Sequence, residues 1–334
     1  RLSLGELADL AATLARQNSH YSVRAALIAA TPSQLAESIE HLYAQIKAGE
    51  KQVFDIKTGI FLSATKTQPR ITLLFPGQAS PVRLNGELWA RRFAPVEALY
   101  ERAQLPTGED LNSTDIAQPA IITAELAGLQ LLESLGISGQ LAIGHSVGEF
   151  AALHWAGAMD EATVLDLVQV RGRAMAEVTG PAGTMLSLAA DGEQAENWCA
   201  KQEGINVACF NSPNQTVISG EIEGIERLRQ SIKFKSTLLP VSHGFHSHLM
   251  KPAAKILETN LTSATLHPLQ QRVISTITGS ELAIDADLRS LLKKQMTHPV
   301  LFSQAIQVAV PETDLFIETG PGQVLTALVS QMTD

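Results

Sequence analysis

Cysteine is scarce in this chain: among 334 residues only Cys199 and Cys209 carry a thiol. Two cysteines make no disulfide framework and have no metal-ligand spacing, so a reducing compartment, the cytoplasm, is the expectation. Aromatic residues make up only 5 %, and no basic block is interleaved with them as a nucleic-acid surface requires. Basic side chains are outnumbered, 25 against 34 acidic ones, for a net charge of −9; no nucleic-acid partner is expected. Apolar runs of bilayer length are missing, so no membrane is expected, and Arg1 to Glu6 lack a signal-peptide pattern. A starting methionine is missing too, and the chain reads as a segment of a longer polypeptide. What is plentiful is aliphatic residue: 45 % of the chain is hydrophobic, enough for a large core and several subdomains.

The pattern that organises the rest is Ile143-Gly144-His145-Ser146-Val147-Gly148-Glu149-Phe150. An apolar run (Leu141, Ala142, Ile143) ends in Gly-x-Ser-x-Gly, and a helical pattern starts at once. Strand, tight turn and helix make a nucleophile elbow with Ser146 projecting above the strand. The first N–H groups of the helix then face any anion formed there. The competing reading is a glycine-rich turn in which the serine only caps a helix.

Residues 1–65 read as a small αβαβ unit with a structural role. Ser3 and Glu6 form a capping box, Val23 to Ala30 a strand, and Thr31-Pro32 opens a helix to about Lys47. Lys66 to Arg70 is a polar link. Ile71–Phe75 is a buried strand closed by Pro76-Gly77-Gln78, a turn able to present a backbone N–H at the sheet edge. Gln118-Pro119 is expected to open a buried helix over Ala120 to Leu135, with Gln118 held extended at its mouth. Asp160 caps the next helix. Val164, Val168, Arg171, Met175 and Val178 share one stripe of it, which turns the Arg171 guanidinium toward the core. There it needs an anionic partner, either a core carboxylate or a ligand.

From Thr184 the order of elements becomes βαββαβ, a ferredoxin-like arrangement inserted before the chain returns at Val241. His243, His246 and His248 follow. No carboxylate or cysteine cluster accompanies them, so a loop histidine acting as a base is favoured over a metal site. Gln295 shares a helical face with Leu288, Leu291 and Leu292, and a buried glutamine needs partners. Leu315–Ile317 is a last strand, followed by Glu318-Thr319-Gly320-Pro321-Gly322 and a helix from Val324 to Met332.

Phe75-Pro76-Gly77-Gln78, Gln118-Pro119-Ala120, Gly144-His145-Ser146-Val147-Gly148-Glu149, Arg171-Gly172-Arg173, Ser242-His243-Gly244-Phe245-His246-Ser247 and Glu318-Thr319-Gly320-Pro321-Gly322 stand in the order found in malonyl-CoA:acyl-carrier-protein transacylases. The chain most resembles the acyltransferase domains of type I polyketide synthases. Pro69–Ser80, Leu84–Phe93 and His154–Gly157 resemble iterative synthases of the enediyne or polyunsaturated-fatty-acid kind. The resemblance implies an α/β fold: a hydrolase-like core with a mostly parallel sheet over 70–183 and 242–334, and the ferredoxin-like small subdomain over 184–241. Residues 1–65 are similar to the linker that joins ketosynthase to acyltransferase.

The resemblance also implies roles. Ser146 is the acylated nucleophile and His246 its base, in a dyad whose histidine is oriented by a backbone carbonyl at the position of Gln295. Backbone N–H groups of Gln78 and Val147 form the oxyanion hole. Arg171 clamps the malonyl carboxylate, and Gln118 and Phe245 line the pocket. Phe245, in His-Gly-Phe-His, argues for malonyl over methylmalonyl, although Gly244 departs from the family's usual alanine. No cofactor is bound permanently; malonyl-CoA is the substrate, and phosphopantetheine arrives on the partner, an acyl carrier protein. The adjoining ketosynthase domain is the other implied partner. A thioesterase-like editing hydrolase is the runner-up, with a methylmalonyl-tolerant acyltransferase and a silent docking fragment behind it.

Overall fold

The computed structural model describes residues 2–16, 21–64, 68–106, 108, 110–241 and 243–333. Arg1, Lys66 and Thr67 of the expected link, and Ser242 of the histidine motif, lie outside the described residues. The chain divides into two compact units, Arg1–Pro69 and Arg70–Asp334.

The first unit is built from α1 (Leu4–Ala15), β1 (Arg24–Leu27), α2 (Pro32–Lys47), β2 (Gln52–Asp55) and β3 (Ile60–Ser63), with an antiparallel sheet ordered β1-β3-β2. The unit thus carries one strand more than the αβαβ pattern. The Ser3–Glu6 capping box forms in full: the Glu6 N–H donates to Ser3 Oγ and the Ser3 N–H to Glu6 Oε2. The expected strand over 23–30 shortens to four residues. Thr31 caps α2 from just beyond it, its side chain accepting from the Gln34 N–H.

The second unit opens with β4 (Ile71–Phe75), α3 (Glu87–Arg92), α4 (Ala94–Ala103), α5 (Thr114–Ser134), β5 (Leu141–Gly144), α6 (Gly148–Trp155) and α7 (Glu161–Ala176). An insert follows: β6 (Gly183–Leu188), α8 (Gly192–Cys199), β7 (Ile205–Ser212), β8 (Gln215–Glu221), α9 (Ile222–Ser231) and β9 (Ser236–Leu238). The chain closes with α10 (Lys251–Ser263), β10 (Arg272–Ser275), β11 (Ser280–Glu281), α11 (Leu288–Gln295), α12 (Phe302–Ala309), β12 (Leu315–Glu318) and α13 (Val324–Val329).

The central sheet runs β11-β10-β5-β4-β12, and every pair is parallel except β10–β11. β5, the middle strand, is buried at every position, which is why it reads Leu-Ala-Ile-Gly with no polar alternation. The insert folds as an antiparallel sheet ordered β7-β8-β6-β9, the ferredoxin-like arrangement, with its own apolar core of Leu186, Leu188, Ile218 and Ile225. Two main-chain bonds stitch it to the core: the Phe210 N–H donates to Val300 O and the Val300 N–H to Ala208 O.

One element departs from expectation in a way that matters for the site. α5 starts at Thr114, not after Pro119, so Gln118 and Pro119 are helical. Burial of Thr114, Ile116 and Ala117 favours the earlier start, and Pro119 forfeits only one ladder hydrogen bond in the second turn. Gln118 therefore projects from a helix rather than from an extended mouth.

Candidate active site

Register explains why two loops meet above the sheet. Phe75 at the end of β4 is paired in parallel with Gly144 at the end of β5. Gln78 and Val147 each lie three residues beyond that pair, so both turns leave the same sheet edge side by side, where open α/β sheets hold their ligands. A Cβ on Gly77 would lie 3.5 Å from the Ser146 Cβ. Neither the Gln78 N–H nor the Val147 N–H has an acceptor among the described residues.

The elbow is tight enough to demand its glycines. A Cβ on Gly148 would come within 2.2 Å of the Phe75 carbonyl oxygen, and one on Gly144 within 2.3 Å of the Glu149 backbone nitrogen. Ser146 itself has φ +53°, a left-handed conformation uncommon outside glycine. His246 shares it, at φ +56°.

His246 Nε2 lies 2.8 Å from Ser146 Oγ. Its Nδ1 faces two carbonyl oxygens, Gln295 O at 2.9 Å and His298 O at 3.0 Å. Carbonyls only accept, so Nδ1 carries the proton and Nε2 presents its lone pair to the serine hydroxyl. Burial, then the Arg171 charge, then His145 push the His246 pKa down to about 3. The imidazole is therefore neutral, the form a base requires. The second carbonyl, on His298, leaves no signature in a side-chain pattern and is invisible in the sequence.

Arg171 projects from the third turn of α7 and is 1 % exposed. No carboxylate among the described residues lies within ion-pair distance of it. Two amide oxygens hold it instead. Gln295 Oε1 accepts from Nε (3.1 Å) and Nη2 (2.9 Å), and Gln118 Oε1 accepts from Nη1 (2.5 Å). A guanidinium has five N–H groups; these bonds use three, one from each nitrogen. One N–H on each terminal nitrogen remains to donate to a carboxylate. Burial lowers the Arg171 pKa to about 9 while Glu149 opposes the drop, so the cation persists at neutral pH.

The amide chain continues outward. Gln118 Nε2 donates to Gln78 Oε1 (3.1 Å), and Gln78 Nε2 donates to Asn112 O (3.2 Å). Inward, Gln295 Nε2 donates to the Ser146 carbonyl oxygen. Gly172 lets this chain assemble: its Cβ would meet the Thr114 carbonyl oxygen at 2.7 Å, so α7 approaches the start of α5 closely enough for Arg171 to reach Gln118. Phe245 is buried one residue before the dyad histidine, its ring stacked on His243 at 6.2 Å between centroids.

Glu149 follows the elbow turn in the first turn of α6. It is fully buried; Ser275 Oγ donates to its Oε1, and Thr276 Oγ1 donates to Gly144 O at 2.8 Å. The pair fastens β10 beneath the elbow. Desolvation raises the Glu149 pKa to about 7, against the pull of Ser275, Thr276 and Arg171. His145 turns the other way, its Nε2 2.8 Å from Asn211 Oδ1 of β7. No group of three or more metal-binding side chains occurs among the described residues.

The family described as "Acyl transferase domain" matches residues 16–334. The chain is 32 % identical over 287 residues to the malonyl CoA-acyl carrier protein transacylase of Bacillus subtilis (strain 168), covering 79 % of this chain and 90 % of that protein. It is 30 % identical over 344 residues to polyketide synthase GfsB of Streptomyces halstedii, covering 96 % of this chain but only 6 % of the synthase. Among solved structures, the acyltransferase domain of the iterative polyketide synthase in enediyne biosynthesis is 35 % identical with a TM-score of 0.80, over 99 % of this chain and 81 % of that one. The malonyl CoA-acyl carrier protein transacylase from Clostridium perfringens is 31 % identical with a TM-score of 0.74, over 78 % and 90 %.

Proposed function

The chain belongs to the acyl transferase domain family, and on that premise we propose that it moves a malonyl group from malonyl-CoA to the phosphopantetheine thiol of an acyl carrier protein, in polyketide or related fatty-acid synthesis. The observation that carries the choice of acyl group is the buried Arg171 guanidinium beside the dyad.

His246 Nε2 takes the Ser146 proton as Oγ attacks the thioester carbonyl. The oxyanion is received by the N–H groups of Gln78 and Val147, which the two adjacent strand ends hold in place; one such donor is worth about 3 kcal/mol. The tetrahedral intermediate collapses, the C–S bond breaks, and the CoA sulfur leaves with the proton from His246. The carrier thiol then gives its proton to His246 and attacks the malonyl ester. This second collapse breaks the C–Oγ bond and restores the serine. The cycle is ping-pong and needs no resident cofactor.

Arg171 and Gln118 form the carboxylate end of the pocket. Phe245 narrows the region next to the base, which favours malonyl over methylmalonyl; rejection of one methyl is worth about 1–3 kcal/mol. The ketosynthase domain of the parent polypeptide is the neighbour served through residues 1–65, and the site works in the cytoplasm. No helix among the described residues is long and apolar enough to cross a membrane.

A panel of malonyl-, methylmalonyl- and acetyl-CoA, read by adduct mass, tests the reading. Malonyl should load fastest. Arg171→Ala should lose malonyl loading by at least ~100-fold while keeping acetyl loading, and Phe245→Ala should admit methylmalonyl. Rapid release of free acid from acetyl or butyryl thioesters would instead mark an acyl hydrolase.

A further inference from the structure

We propose that the side chain of Gln295 is a positioning residue that couples acyl-group selectivity to the nucleophile, by tying the Arg171 guanidinium to the Ser146 backbone. The proposal rests on Arg171 being the carboxylate clamp.

Gln295 is fully buried in the last turn of α11 and touches all three working residues. Its Oε1 takes the Nε and Nη2 edge of Arg171. Its Nε2 donates to the Ser146 carbonyl oxygen. Its own main-chain carbonyl accepts from His246 Nδ1. Arg171 offers only donors, so the amide orientation is fixed: oxygen to the arginine, nitrogen to the serine.

The side-chain amide is planar and rigid, so its two ends move together. Held on one edge by Gln295 and on Nη1 by Gln118, the guanidinium cannot rotate, and its two free N–H groups keep one direction. The same amide braces the carbonyl of a residue in a left-handed conformation, where the backbone is strained and neighbours must hold it. A shift of Arg171 therefore reaches Ser146 through one side chain.

The test measures single-turnover acylation of Ser146 by malonyl-CoA and by acetyl-CoA in the full chain, with intact mass as readout. Gln295→Met keeps the bulk but neither hydrogen bond. It should slow malonyl loading about 100-fold and acetyl loading about tenfold, lowering the malonyl-to-acetyl ratio about tenfold. Gln295→Glu keeps size and places a built-in carboxylate on Arg171; it should raise the KM for malonyl-CoA and invert the ratio in favour of acetyl. In an Arg171→Ala background, the Gln295→Met step should slow both substrates equally. A role confined to packing would lower the melting temperature and leave the ratio alone. The proposal is overturned if both Gln295 variants keep the wild-type ratio within about twofold. It is equally overturned if the ratio change from Gln295→Met persists without Arg171. A wild-type protein that forms no malonyl adduct overturns the transferase reading itself; a normal adduct with an unmoved ratio overturns only the coupling.

Discussion

The protonation of His246 shows how much a single residue's surroundings decide. Desolvation is the largest influence on it, followed by the Arg171 cation, and together with His145 they bring its pKa to about 3. Acylation should therefore lack the acid limb that an ordinary imidazole, titrating near 6.5, would impose. A second consequence separates the two kinetic constants. A malonyl carboxylate seated on Arg171, as proposed, would neutralise one of the charges that depress His246. The acid limb of kcat, which reports the bound complex, should lie at higher pH than that of kcat/KM for malonyl-CoA. For acetyl-CoA, which brings no anion, the two limbs should coincide. Rate–pH profiles with both substrates check this; coincident limbs for malonyl-CoA would place its carboxylate elsewhere.

Among the elements, the site depends on two close approaches, and both rest on glycine. β4 and β5 end in register, and α6 starts against them only because Gly148 has no side chain to meet Phe75 O. α7 meets α5 only because Gly172 has none to meet Thr114 O. Gly148→Ala should cost about 1–3 kcal/mol and abolish acylation; Gly172→Ala should cost a similar amount and weaken malonyl loading by parting Arg171 from Gln118. Gly224 in α9 is the contrast: its added Cβ would make ordinary contacts with Ile205 at 3.5 Å, so Gly224→Ala should stabilise by about 0.5–1 kcal/mol. Thermal melts of the three variants separate crowding from helix propensity. Most elements were legible in the sequence because burial follows local patterns: continuous apolar runs for β4 and β5, the stripe that put Arg171 inward, and the βαββαβ order of the insert. The start of α5 was not, because tertiary burial of Thr114, Ile116 and Ala117 outweighed the local signal of Pro119. Side-chain chemistry pointed to Ser146, Arg171 and Gln295. The His298 carbonyl and the Ser275–Glu149 bond were hidden, since they depend on which strands and loops lie beneath the elbow.

Taken whole, the molecule keeps every residue assigned to the site within Arg70–Asp334, and buries a carboxylic acid there whose charge it resists. Glu149 is raised from 4.5 to about 7 by desolvation. Its contribution to stability is fully present below pH 4.5 and is lost as pH rises toward and through about 7. His246 has the opposite sign: its pKa is depressed, so its contribution is present above 6.5 and is lost as pH falls toward 3. Replacing Glu149 with Gln keeps an acceptor for Ser275 and removes the titration. Between pH 4.5 and about 7 the melting temperature of that variant should fall less than that of wild type, in which Glu149 and Glu125, both raised by burial, resist ionisation together. The central claim, that Ser146 carries malonyl between two thiols, has a direct measurement. Purified protein is exposed to malonyl-CoA, its intact mass and the modified peptide are recorded, and holo acyl carrier protein is then added. One malonyl group on Ser146, absent from Ser146→Ala and discharged to the carrier faster than to water, is the result expected. No adduct on the wild-type chain, or an adduct released only as free malonate, would contradict it.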